Sequence, residues 1–174
     1  MKATIALALF GICLISGCHG YAHLYPVQGP LAQLTPPPVY TAKITLEPNW
    51  SKPVTVGAHA NDRMGKLAVV LADGEQFNGP WKQVYEKAGS ASAAAESQNA
   101  GDMSVAWNTV YGNGYYTAHV LGSPLFVHTE LTGSSGTVLV VEWFEKQVGE
   151  NDSARLVALG VAKDSKGNTY KLVF

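Results

Sequence analysis

The chain has 174 residues, of which 47% are apolar and 14% charged, and its formal charge is −1. That length fits one domain, and that balance fits a packed core, not a disordered chain. Near-neutral charge with no basic stripe excludes nucleic acid as a partner class, because nothing is present to neutralise a phosphate backbone.

The N-terminus reads as an address. Lys2 is followed by the thirteen-residue apolar run Ala3–Ile15. A membrane-crossing helix needs roughly 20 apolar residues to span about 30 Å, so this run is a secretory signal core. The block Ile15-Ser16-Gly17-Cys18 resembles the lipobox of bacterial lipoproteins: aliphatic, small, small, cysteine. The resemblance implies removal of residues 1–17 and acylation of Cys18, whose thiolate accepts a diacylglyceryl group as a thioether. One acyl chain holds a protein only marginally, whereas two or three hold it for good. His19, with no aspartate in that place, implies the outer membrane for a Gram-negative source. Cys13 leaves with the signal, so Cys18 is the one cysteine of the mature chain and no internal disulfide is expected.

Residues 18–38 carry Pro26, Pro30 and the run Pro36–Pro38. Prolines block helix and ladder alike, so this stretch is expected to be an extended tether, with the β-domain occupying 39–174. Tyr40–Leu46 alternates, placing Tyr40, Ala42, Ile44 and Leu46 on one face. Pro53–Val56 is a short second candidate. Lys66–Leu71, the Asp73-Gly74 turn and Glu75–Trp81 form a hairpin. Residues 82–102 are expected to hold a short helix or a loop, Ala/Ser-rich in its middle. Ser104–Tyr111, Asn113-Gly114 and Tyr115–Leu121 read as a second hairpin, with Trp107, Thr109 and Tyr111 on its core face. Its rival reading is an exposed aromatic platform for sugar rings.

Leu125–Leu131 and Thr137–Glu145 are strands flanking the Gly133–Gly136 turn. In the latter, Leu139, Val141 and Trp143 share one face and Val138, Val140, Glu142 and Phe144 the other. Apolarity on both faces points to a strand covered on both sides. Residues 149–153 form a polar loop. Arg155–Lys163 and Asn168–Phe174 close the chain as a hairpin. Short strands joined by tight turns make an all-β, antiparallel fold, either a barrel or a two-layer sandwich, with one short helical or loop insertion near 82–102.

No catalytic constellation emerges. There is no nucleophile elbow, no phosphate loop and no identifiable carboxylate pair, and Ser134-Ser135 reads as turn. His19, His23, His59, His119 and His128 have no metal-ligand spacing, and hydrogen-bonded structural roles are expected for His119 and His128. No cofactor or metal is expected. The segment Asp73-Gly74-Glu75-Gln76-Phe77-Asn78-Gly79-Pro80-Trp81 resembles a pattern in small envelope lipoproteins of bacteria, as does the closing Gly160–Tyr170 hairpin. That resemblance implies an envelope location and no activity. Its residues also have a plain reading: a turn, packing by Phe77 and Trp81, and a bulge at Gly79. The expected function is a non-enzymatic structural or binding module, anchored through Cys18 and meeting an envelope protein or glycan. The alternatives are an envelope hydrolase acting on glycan or peptide, or a carrier of a small apolar ligand inside a barrel.

Overall fold

A computed structural model describes residues 19–47, 64–71, 73–84, 101–121, 126–148 and 155–174. Cys18, His59, Pro53–Val56 and the 149–153 loop lie outside the described residues.

Eight strands form a closed antiparallel barrel in simple chain order: β1 (His19–Gln28), β2 (Tyr40–Glu47), β3 (Met64–Val70), β4 (Gln76–Val84), β5 (Phe126–Thr132), β6 (Val138–Val148), β7 (Arg155–Asp164) and β8 (Thr169–Val173). Pairing of β1 with β8 closes the ring, which leaves no free sheet edge. Among the described residues between β4 and β5 are a helix, α1 (Gly101–Tyr111), and a π-turn at Tyr116–Val120. The barrel, not the sandwich, is therefore the architecture. No helix among the described residues is long and apolar enough to cross a membrane.

Two expectations are corrected. The first is the tether. His19–Gln28 is a barrel strand, paired to β2 from His19↔Thr45 to Leu24↔Tyr40 and to β8 from His23↔Val173 onward. The body thus includes His19–Gln28 and is not confined to 39–174. Its sequence alternates, with Ala22, Leu24 and Pro26 buried and Tyr21, His23, Tyr25 and Val27 exposed. Pro26 is tolerated because the β1–β8 register shifts there, which relieves the ladder of a donor that proline lacks.

The second correction concerns 104–121. Met103, Ala106, Trp107, Val110 and Tyr111 stand at helical spacing, and they pack as one face of α1. Asn113-Gly114 does not turn a hairpin. Gly112, at φ 107°, ends the helix by donating its N–H to the Asn108 carbonyl at 3.0 Å, and Gly114, at φ 79°, reverses the chain. The Asn108 side chain then accepts the Tyr116 N–H at 3.1 Å. Residues 82–84 belong to β4 and Gly101–Tyr111 to α1; 85–100 of the expected insertion lie outside the described residues.

The remaining elements agree with expectation. The β3–β4, β5–β6 and β7–β8 hairpins form around Asp73-Gly74, Gly133–Gly136 and Asp164–Gly167. On β2, Tyr40 and Ala42 are buried, Ile44 is half-buried, and Leu46 at the strand end is exposed. On β6, Leu139, Val141 and Trp143 face the interior, while Glu142 and Phe144 are buried on the outer face beneath α1. That outer cover explains the two-sided apolarity.

The barrel interior is occupied by side chains. Tyr170 meets Tyr40 edge-on, Trp81 meets Trp143 edge-on at 5.2 Å, and Phe77, Leu24, Leu67 and Leu139 lie between. These residues are almost wholly inaccessible, whereas a water-sized void would leave its lining accessible. Gly79 introduces no bulge, because the β3–β4 register runs unbroken through it. It makes room: a Cβ there would stand 2.5 Å from Leu131 Cδ2.

Candidate functional site

Among the described residues three buried carboxylates, Glu75, Asp164 and Glu142, organise the polar interior, and each demands donors because an unpaired buried charge is costly. Two of them lock the barrel end that carries the short hairpins. Glu75 Oε1 accepts the Ser135 and Thr137 N–H groups at 3.2 and 3.1 Å. Its Oε2 accepts the Thr137 hydroxyl at 2.6 Å and the Lys166 ammonium at 2.8 Å. Lys166 also donates to Asp73 at 2.9 Å. The Lys166 ammonium, then the Thr137 hydroxyl, hold Glu75 down to about 2, and Lys166 is raised by its two carboxylates. Asp164 accepts the Asn168 N–H and side-chain amide, both at 2.9 Å, and the Tyr170 hydroxyl at 2.6 Å. Asn168 in turn accepts the Leu31 N–H at 2.9 Å, tying the segment after β1 to the β7–β8 turn. Burial, then the Asp164 carboxylate, raise Tyr170. These networks consume their own groups and serve as closures.

The third carboxylate lies on the outside of the barrel. Glu142 is 1% exposed. Its Oε2 accepts the Trp107 indole N–H at 2.6 Å, and its Oε1 pairs with His128 Nδ1 at 2.8 Å. Register explains the second contact, since His128 and Glu142 stand directly opposite on β5 and β6. Helix α1 supplies the first. Trp107 is fully buried and begins an aromatic series: Tyr111 stacks on it at 5.4 Å, Tyr115 on Tyr111 at 4.8 Å, and His119 tilts against Tyr115 at 4.7 Å. Phe144 closes the inner side at 5.6 Å from Trp107. The Tyr111 hydroxyl donates to the Gly160 carbonyl at 3.2 Å, and burial pushes it up to about 12. Lys171 Nζ lies 5.5 Å over the Tyr111 ring.

Here a buried carboxylate holds an imidazole by Nδ1 while the side chain of His128 remains 44% exposed. The contact ties one ring nitrogen to the carboxylate and so sets the ring plane. That is the base-and-orienter half of an acid–base site. The same carboxylate is also the anchor point of α1, so the indole and the imidazole share one acceptor group.

The expected site residues distribute as follows. His128 is hydrogen-bonded, in keeping with a structural role; His119 is not on a strand but on the exposed π-turn beside Tyr115. His23 lies on the outer face of β1, its Nδ1 3.4 Å from the Thr41 hydroxyl. Among the described residues no three His, Cys, Asp or Glu side chains are grouped to hold a metal ion. Trp107 is core as expected, but from a helix, and its ring is not an open platform. Glu142 was legible only as a carboxylate interrupting an apolar face, a signal that marks a buried acceptor awaiting donors.

No protein-family model matches the chain, and comparisons with curated proteins and with solved structures find no match.

Proposed function

We propose that the protein is a lipid-anchored module of the bacterial envelope, attached to the outer membrane through acyl chains on Cys18, and that it binds or braces and does not catalyse. The observation that carries the reading is the junction at the N-terminus. Ile15-Ser16-Gly17-Cys18 ends an apolar signal core, and the strand His19–Gln28 of the barrel follows it directly in the sequence. A cleavage site at that point delivers an intact barrel with the lipid attached to its first strand.

The filled interior gives no support to a small apolar ligand carried inside the barrel, and the reading favours recognition on the outer surface. An envelope protein or a glycan remains the partner class. The hydrolase reading gains one specific observation, the His128–Glu142 pair, which supplies an oriented imidazole. The anchored module accounts for that pair as the seat of α1.

Replacing Cys18 by Ser tests the anchoring. Expression of the full chain with Cys18→Ser is expected to leave an unprocessed precursor that retains residues 1–17 in the inner membrane, while the unaltered protein sediments with outer membranes. Processing of the variant to the same size as the unaltered protein contradicts the proposal.

A further inference from the structure

We infer that the joint between α1 and the barrel is a pH-sensitive clasp: a proton on His128 tightens α1 against β6 and β7, and loss of that proton loosens it. The inference goes beyond the anchored module, because it gives the body a cover whose hold depends on the medium. It does not require a lipid on Cys18.

One carboxyl group carries the clasp. Glu142 is 1% exposed, and its two oxygens meet Trp107 Nε1 at 2.6 Å and His128 Nδ1 at 2.8 Å. Trp107 comes from α1 and His128 from β5, so the helix and the sheet share one acceptor. The indole only donates and keeps its hydrogen throughout the range in which an imidazole titrates. Imidazoles change charge between about pH 5 and 8. The His128 side chain is 44% exposed, so water reaches the ring while its partner stays buried. A carboxylate in hydrogen-bond contact favours the charged ring, and the bond is then charge-assisted, roughly twice as strong as a neutral one. A neutral ring leaves a group withdrawn from water with neutral partners only, which replace its lost hydration less well.

Other charges face the pair from each neighbouring element. The pairs Gln83↔Val127 and Phe77↔Gly133 share one register, which sets Lys82 of β4 across from His128. Lys82 opposes a proton on the ring, and Glu130, two residues along β5, favours it; both are exposed, and water screens them. On β7, Val161 stands opposite Glu142, and Lys163 opposite Val140. Lys146 lies four residues along β6, and Asp102 is the one charged residue in the sequence of α1. Lys171 of β8 lies over the Tyr111 ring, and His119 lies against Tyr115. The carboxylate in contact with the ring at 2.8 Å sets the sign.

Beneath α1 are Phe144 and Val161, both buried, with Val140 and Leu159 packed beside them. Loosening the helix therefore uncovers an apolar face. The closed clasp holds the proton more tightly than the open one. Its extra hold is complete below the ordinary imidazole value of about 6.5 and fades as pH rises through the higher value of the closed state.

The test is hydrogen–deuterium exchange by mass spectrometry on the full-length product purified in detergent. Peptides covering 101–111 and 138–146 are read at about pH 5.5 and about pH 8.5, on either side of the imidazole range, and corrected for intrinsic exchange. Protection of the α1 peptide is expected to fall about tenfold between the two, the factor that one unit of pKa represents, while the β6 peptide holds. His128→Gln keeps a neutral partner and is expected to show the weaker, alkaline protection at both. In the unaltered protein the His128 ring, followed by NMR, is expected to titrate above about 6.5, a readout that needs no variant. Equal α1 protection at both pH values overturns the clasp. The same fall in His128→Gln overturns the role of His128. An equal fall in the β6 peptide overturns local release in favour of global unfolding. A ring that titrates at or below about 6.5 overturns the linkage. None of these outcomes bears on acylation of Cys18, so failure here is distinct from failure of the anchoring.

Discussion

Replacing Trp107 probes the joint between α1 and the barrel most sharply. The indole does two separable things: it fills the space between Phe144, Tyr111 and Tyr115, and it donates to a carboxylate that is 1% exposed. Trp107→Phe keeps most of the apolar surface and removes the donor. Leaving a buried carboxylate short of one hydrogen bond costs about 1–3 kcal/mol. Trp107→Ala removes the ring as well, and large-to-small changes at fully buried aromatic positions cost about 3–5 kcal/mol. The alanine variant is therefore expected to lose at least as much as the phenylalanine variant, in two visible stages if α1 detaches before the barrel opens. Urea denaturation followed by far-ultraviolet circular dichroism and by tryptophan fluorescence measures both quantities. A further variant, Glu142→Leu in the Trp107→Phe background, should recover part of the loss, because removing both partners of a buried polar pair leaves nothing unsatisfied. Trp107→Ala within 1 kcal/mol or so of the unaltered protein would refute the reasoning, since no buried ring of this size is lost that cheaply.

Acid should act through the hairpin end of the barrel. Glu75 lies well below its ordinary value of 4.5, at about 2, so it adds stability that is present above the unfolded value and disappears as pH falls through the folded one. Stability is expected to decline between about pH 4.5 and pH 2, and Glu75→Gln to flatten that decline while lowering stability at pH 7; a parallel decline in the variant contradicts the assignment. Gly79→Ala places a Cβ 2.5 Å from Leu131 Cδ2, and overpacking of this kind costs about 1–3 kcal/mol, read from the same denaturation curves. Asn168→Ala should loosen the segment after β1 by removing the acceptor of the Leu31 N–H, seen as faster amide exchange at Leu31 with little change in β6.

Much of the barrel was legible because strands betray themselves by alternation and by the turns between them. β2, the β3–β4 hairpin and the last four strands follow that pattern, and the two apolar faces of β6 foretold a cover before α1 was placed. What misled was chemistry that reads one way locally and is used another way in context. Pro26 marks a bulge in a closing strand, although the same residue with Pro30 and Pro36–Pro38 reads as linker. Asn113-Gly114 reads as a hairpin turn, but the left-handed backbone is at Gly112 and Gly114 and serves a chain reversal after a helix. The spacing of Met103, Ala106, Trp107, Val110 and Tyr111 was the better signal, since it holds over two full turns. The Glu142 site was half legible. His128 meets Glu142 by strand register, which follows once β5 and β6 are paired, but Trp107 arrives from a segment whose docking no local pattern encodes.

The central claim is that the folded body hangs from a lipid at its own first strand. The intact mass of the mature protein, with fragmentation of its N-terminal peptide, tests this most directly. The account predicts a chain that begins at Cys18, carrying a diacylglyceryl thioether and an acylated amine. A chain beginning at any other residue, or at an unmodified Cys18, would contradict it.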